Sequence, residues 1–171
     1  MILEAQEHLI GIRGARVGWI RLEGIHLTLK FLGDVERTHL TEVIDCVKMC
    51  AASVRPIELA TTETGGFPSL SRPRVLWLGI DGGPPLLRLQ TDIEQGLAIV
   101  GYPPEQKRFH PHLTIGRVKS MAPGCGLVEQ FRSLQFPRVF WVSGEVWVMS
   151  SVLKPQGAEY GVLATAALGG G

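Results

Sequence analysis

The sequence predicts an α+β protein with helices packed on sheets. Three observations carry this. Segments of helical and strand periodicity alternate as helix, two strands, helix, two strands, helix. The tetrapeptide His26-Leu27-Thr28-Leu29 returns as His112-Leu113-Thr114-Ile115, half a chain later, which suggests two related lobes. The 171 residues contain no low-complexity linker, so one domain spanning 1–171 is expected.

Residues 2–10 fit a short helix, with Ile2, Leu3 and Leu9 on a partly apolar face. Val17 to Leu22 reads as a strand. Ile25 to Leu32 alternates cleanly, with Ile25, Leu27, Leu29 and Phe31 on one face and His26, Thr28 and Lys30 on the other. Thr38 opens a helix to about Ala52, where Leu40, Val43, Ile44 and Val47 recur at helical spacing. A strand is expected from Pro56 to Thr62, then a loop through Gly65–Ser69 and Ser71–Pro73. Arg74 to Ile80 is a strand apolar enough to be covered on both faces. Gly82-Gly83-Pro84-Pro85 breaks the chain before an amphipathic helix from Leu86 to Val100. His112 to Val118 is a strand and Leu127 to Leu134 a helix. Val139 to Met149 has strand character with a bend at Val142–Gly144, and Tyr160 to Thr165 is the last strand. Gly169 to Gly171 is expected to be disordered.

Seventeen Lys and Arg against sixteen Asp and Glu leave a net charge of +1. Bulk charge therefore supplies no long-range attraction to phosphate, and any nucleic-acid binding must come from a local site. The apolar runs are strand-sized and far short of a membrane span. Met1 to Glu7 lacks the basic start and apolar core of a signal peptide. Cys46, Cys50 and Cys125 form no metal-ligand spacing. Reduced thiols in a cytoplasmic protein are expected.

The repeat carries the chemistry. His26 and His112 stand 86 residues apart, each two residues before a threonine. On a strand, residues i and i+2 share a face, so His26 stands beside Thr28 and His112 beside Thr114. If the lobes are related by a pseudo-two-fold, the two faces meet in one cleft. Two imidazoles with reference pKa near ~6.5 can then work as an acid–base pair without a metal. Thr hydroxyls can donate to phosphate oxygens as charge builds there. Lys30 shares the face of His26. Arg117 falls on the opposite face from His112 under strict alternation, and reaches the cleft only through a twist, a bulge or the end of the strand.

A lone His-x-Thr is ordinarily the solvated side of a sheet; two copies on matched strands reverse that reading. A metal site is the rival, because His110-x-His112 has ligand spacing and His26 could be a third ligand. No Asp, Glu or Cys clusters with them in sequence, and the threonines have no part in such a site. His8 and His39 read as exposed helix residues, and His110 as a loop residue or a peripheral substrate contact.

The segments His26-Leu27-Thr28-Leu29-Lys30-Phe31-Leu32-Gly33 and Phe109-His110-Pro111-His112-Leu113-Thr114-Ile115-Gly116-Arg117 resemble the two signatures of the two-histidine (2H) phosphoesterase superfamily. The likeness is closer to its LigT-like branch of RNA 2',3'-cyclic phosphodiesterases, also called 2'-5' RNA ligases. Gly66 to Gly79, Gly101 to Glu105 and Leu153 to Leu163 are similar to that branch too. The resemblance implies a bilobal fold of two pseudo-symmetric antiparallel lobes, with outer helices around a central cleft. It implies hydrolysis of a terminal 2',3'-cyclic phosphate to a 2'-phosphomonoester, with His26 as general acid and His112 as general base. Thr28 and Thr114 would hold phosphate oxygens, Arg117 would help neutralise the phosphate, and Phe109 would stack on a base. No metal or cofactor is implied. The partners implied are RNA 3' ends carrying the cyclic phosphate, tRNA fragments among them, and the protein is expected to be monomeric.

Members of that branch begin with an apolar strand ahead of the first helix. Here Met1 to Glu7 already reads as the helix, so either that strand is missing, which would leave an unpaired sheet edge and exposed core, or another segment fills its place. Two other functions keep the same fold: an RNA-end binding module with little turnover, and a 2H enzyme for another small phosphodiester. Turnover of cyclic-phosphate RNA, mononucleotides and short oligonucleotides side by side separates the three.

Overall fold

The apolar run after Arg74 forms the middle of the larger sheet. This strand, β3 (Val75–Asp81), is buried along Leu76–Ile80, as a strand covered on both faces must be. The structure, a computed structural model, describes residues 1–154 and 157–169. Its other elements are α1 (Ile2–Leu9), β1 (Ala15–Trp19), a 3-10 turn at Leu22–Gly24, α2 (Leu40–Ala52), β2 (Ile57–Phe67), α3 (Gly83–Ile99), β4 (His112–Met121), α4 (Leu127–Ser133), β5 (Phe140–Ser143), β6 (Glu145–Lys154) and β7 (Gly157–Ala167). Five strands form one antiparallel sheet in the order β1-β4-β3-β2-β5, and β6 pairs with β7 in a second. Gly169 has no regular structure; Gly170 and Gly171, also expected to be disordered, lie outside the described residues.

Two apolar cores follow from the amphipathic helices. Leu9 of α1 and Leu127 and Phe131 of α4 cover Leu76, Leu78 and Ile115 on one face of the large sheet. The periodic residues of α2 and α3 meet Ile57, Leu59 and Ile80, with Ala166 of β7 closing the second core. Cys46 and Cys50 lie where α2 crosses α3, and a Cβ on Gly96 would come within 2.7 Å of Cys46 Sγ. Burial, with Cys46 beside it, pushes the Cys50 thiol up to about 11, so it stays protonated and unreactive. All three cysteines are free. Among the described residues no helix is long and apolar enough to cross a membrane.

Several elements differ from the expectation. The strand expected at Ile25–Leu32 is reduced to one antiparallel bridge, Leu27 to Leu113. Beyond Leu29 the segment finds no partner strand, and Phe31, expected in the core, is 80% exposed. Period two marks which side of a strand would be buried; only a neighbouring backbone makes the strand. Strand β2 runs through Gly65 and Gly66 instead of ending in a loop, and the Trp77 indole packs so closely on Gly65 that a Cβ there would collide with the ring. Helix α3 starts at Gly83, with its prolines in the first turn, where amide N–H groups have no intrahelical acceptor. Val139–Met149 is divided between two sheets: β5 pairs with β2, and after Gly144 the chain passes to β6. The lobes are accordingly unequal, five strands against two. Among the described residues β6 and β7 pair only with one another, and Trp147, Val152 and Val162 on that ribbon are exposed.

Candidate active site

Strand β1 and the first motif lie in succession along the same edge of β4, with the 3-10 turn between them. Trp19 pairs with Gly116, and Leu27 then bridges Leu113. The bridge sets the geometry of the repeat. In an antiparallel pair centred on Leu27 and Leu113, His26 faces Thr114 and Thr28 faces His112. The local two-fold passes through the leucine pair. Leu27 and Leu113 point into the second core, so the two histidines and two threonines share the opposite face. Directly opposed residues are about 4.5–5.5 Å apart at Cβ, and diagonal neighbours, here the two histidines, are about 7–8 Å apart. That spacing is of the order of a phosphate group's span.

Both imidazoles are held in the same way. His26 Nδ1 donates to the Gly24 carbonyl at 2.9 Å, and His112 Nδ1 donates to the His110 carbonyl at 2.6 Å. A carbonyl only accepts, so each Nδ1 carries a hydrogen and each Nε2 is left for proton transfer. The rings differ in their surroundings. Tyr160 of β7 meets His26 edge-on, with centroids 4.7 Å apart, while Phe67 meets His112 at 5.0 Å. Burial above all, with His110 and the Arg117 guanidinium nearby, holds the His112 pKa below the usual imidazole range, against the opposing bond to the His110 carbonyl. The neutral form of His112 is thereby favoured. The hydroxyls of Thr28 and Thr114 make no hydrogen bond among the described residues and remain free to donate.

Arg117 reaches this face through a bulge. Thr114 pairs with Trp77 but Gly116 pairs with Leu76, so two steps on β4 match one on β3 and Ile115 is the extra residue. Ile115 is fully buried in the first core, and the phase of β4 shifts by one beyond it. Arg117 then pairs with Val75, on the same side as Trp77 and Thr114. A buried glutamine of α1 supports the bulge. Gln6 Nε2 donates to the Ile115 carbonyl at 2.9 Å and to the Ile20 carbonyl at 2.8 Å. Gln6→Ala is expected to leave Ile20 O without its side-chain donor among the described residues and to lower stability by about 1–3 kcal/mol, read as a shift in the urea midpoint at constant slope.

The remaining residues singled out from sequence fall elsewhere. Lys30 leaves the histidine face and pairs with Glu94 of α3. Phe109, expected to stack on a base, is half-buried against the second core and faces away from His112. It lines a cavity of about 640 Å³ with Arg108, Gln90 and the start of α3, and neither His26 nor His112 borders that cavity. His110 packs against Trp77 in a tilted contact, with ring centroids 4.6 Å apart. Among the described residues no three His, Cys, Asp or Glu side chains gather as a metal site would require, so the trio His26, His110 and His112 does not form. His8 and His39 are exposed on α1 and at the start of α2. Tyr160, Phe67 and Gln6 had no sequence signal, because each acts through a contact between distant parts of the chain.

This paired motif on an α+β frame defines a class. Residues 4–153 match the model of the 2'-5' RNA ligase superfamily, and the chain belongs to that family. It is 33% identical over 147 residues to an RNA 2',3'-cyclic phosphodiesterase of Methanothermobacter thermautotrophicus, covering 85% of this chain and 79% of the relative. It is 31% identical over 143 residues to a protein of the same name from Aeropyrum pernix, covering 82% and 80%. A crystal structure from Thermus thermophilus superposes with a TM-score of 0.80 at 28% identity, covering 99% of this chain and 90% of that one. Escherichia coli LigT complexed with 3'-AMP shares the fold, with a TM-score of 0.69 at 22% identity over 98% and 88% of the two chains.

Proposed function

We propose that this protein hydrolyses the 2',3'-cyclic phosphate at RNA 3' ends to a 2'-phosphomonoester, using His26 and His112 as an acid–base pair. The observation that carries this is the matched seating of the two rings. Each holds its Nδ1 on the carbonyl two residues earlier and presents Nε2 on the shared face. The relatives named RNA 2',3'-cyclic phosphodiesterase support the substrate class.

In this reading His112, kept neutral by burial and by Arg117, accepts a proton from water at Nε2. The water oxygen bonds to phosphorus in line with the P–O3' bond. That bond breaks, and the leaving 3'-oxygen takes the proton from His26 Nε2. The reaction leaves His26 neutral and His112 protonated, and exchange with solvent restores both. Thr28, Thr114 and Arg117 donate to the non-bridging oxygens as negative charge builds on them. Phe109 acts at a distance, by packing the segment that carries His112. An RNA 5'-hydroxyl in place of water would give a 2'-5' bond by the same steps. The site is carried by one bilobal domain, acting as a monomer in the cytoplasm on ends such as those of tRNA fragments.

The test is a short RNA ending in a 2',3'-cyclic phosphate, incubated with the protein in excess EDTA. The expected product is the 2'-phosphate alone, at the same rate with and without chelator. A 3'-phosphate product, or activity lost to EDTA and restored by zinc, would sink the scheme.

A further inference from the structure

The face that holds His112 carries Arg117 and continues past it into two more cations, Arg16 and Lys119. Gly18 pairs with Arg117, so both point to the histidine side of the sheet, and Arg16, two residues from Gly18, points there too. The opposite side of β1 is accounted for by Val17 and Trp19, which pack in the first core. A second bulge sets Lys119 out of register, between the pairs Arg16–Ser120 and Val17–Val118. Its stem lies over Gly18, 3.1 Å from where a Cβ would stand, which puts the ammonium on the same face. Arg16, Arg117 and Lys119 are exposed. No carboxylate occurs on β1 or β4, and none of the three cations has an ion-pair partner among the described residues. In a chain whose net charge is +1, this is a local concentration of unneutralised charge.

We propose that Arg16 and Lys119 form a track for the phosphates of the single-stranded RNA just 5' of the cyclic end. The inference rests on the RNA phosphodiesterase reading and extends it from the terminal group to the two or three nucleotides before it. The spacing suits such a ligand. Lys119 follows Arg117 by two residues, about 7 Å along an extended strand. Arg16 is the diagonal neighbour of Arg117 across the pair, about 7–8 Å away. These steps are of the order of the distance between successive phosphates on an extended single strand. Gly18 has a role in this arrangement, since a side chain there would displace the Lys119 stem. The contacts are to backbone phosphate, so the track confers length preference without base preference.

The experiment compares a 2',3'-cyclic mononucleotide with an RNA tetramer ending in the same group, at 50 and 200 mM salt. The native protein is set beside Arg16→Gln/Lys119→Gln, and beside Lys48→Gln on α2 as a charge control. The native protein and Lys48→Gln should favour the tetramer through KM, and salt should erode that advantage. Two phosphate contacts on a single strand carry a salt slope of about 1.4, so the fourfold rise in salt should cost the native protein about sevenfold more on the tetramer than it costs the double variant. Turnover of the mononucleotide by the double variant should match native, which reports an intact fold and site. A double variant that keeps the native tetramer advantage and salt slope overturns the track. If the native protein turns over neither substrate, the phosphodiesterase reading fails by itself. The track is then judged by fluorescence anisotropy of a labelled tetramer with a 3'-phosphate: the same difference in slope supports it, and equal slopes overturn it.

Discussion

Substituting His112 or His26 with Ala is expected to lower kcat/KM on cyclic-phosphate RNA by roughly two to four orders of magnitude, with circular dichroism and melting curves unchanged. Both rings are half-exposed and, among the described residues, their hydrogen bonds run to backbone carbonyls of their own loops, so the fold depends little on them. The native pH profile of kcat/KM should be bell-shaped, because one imidazole must be neutral and the other protonated. The sign of its acid limb follows from the site. His112 has a lowered pKa, so its neutral, base-competent form persists to lower pH than an ordinary imidazole allows. The acid limb should therefore lie on the acid side of about 6.5. Arg117→Gln removes one of the cations that depress His112 and should move the acid limb upward, besides raising KM. An acid limb that stays in place while KM rises would confine Arg117 to phosphate binding. A His112→Ala variant with near-native turnover would remove the acid–base scheme altogether.

Glu94→Ala is expected to be the most damaging single change to stability. Lys30 and Glu94 are nearly excluded from water, with side-chain exposures of 5% and 11%, and their contact is 2.5 Å. Lys30 Nζ also donates to the Pro103 carbonyl at 2.8 Å, and Glu94 accepts from the Glu105 amide at 3.1 Å and from Gln90 at 3.2 Å. The pair therefore joins the segment after the first motif to α3 and to the loop that leads into the second. Removing one partner leaves a buried charge without its counter-ion, at a cost of about 3–5 kcal/mol. For a chain of this size the melting temperature should fall by about 6–20 °C. Lys30→Met combined with Glu94→Leu should lose less than the sum of the two single changes, because no unpaired charge remains. A Glu94→Ala cost below about 1 kcal/mol, the range of exposed ion pairs, would show that water reaches the pair.

The fate of Lys30 marks the limit of what periodicity can convey. Alternation placed it with His26 and Thr28, and would have kept it there had Ile25–Leu32 been a full strand. The segment has one bridge, at Leu27, and past it the chain is free to turn Lys30 toward Glu94. Arg117 is the converse. Strict alternation set it on the wrong face, and the extra residue at Ile115 brought it back. That bulge depends on Leu76 and Trp77 across the strand and on Gln6 from another helix, none of them near Arg117 in sequence.

The sequence by itself determined the histidine pair proposed for acid–base work, the threonines beside them and the alternation of helices with strands. These are local properties: a residue's type, its neighbours two or four positions away, and a tetrapeptide repeated in register. The tertiary structure decided how far each strand runs, which sheet receives β5 and β6, where β4 bulges, and which rings and cations stand beside the histidines. Those outcomes depend on backbone pairing and side-chain contact between segments far apart in the chain. Their energies arise only when the segments meet, so no window of sequence contains them.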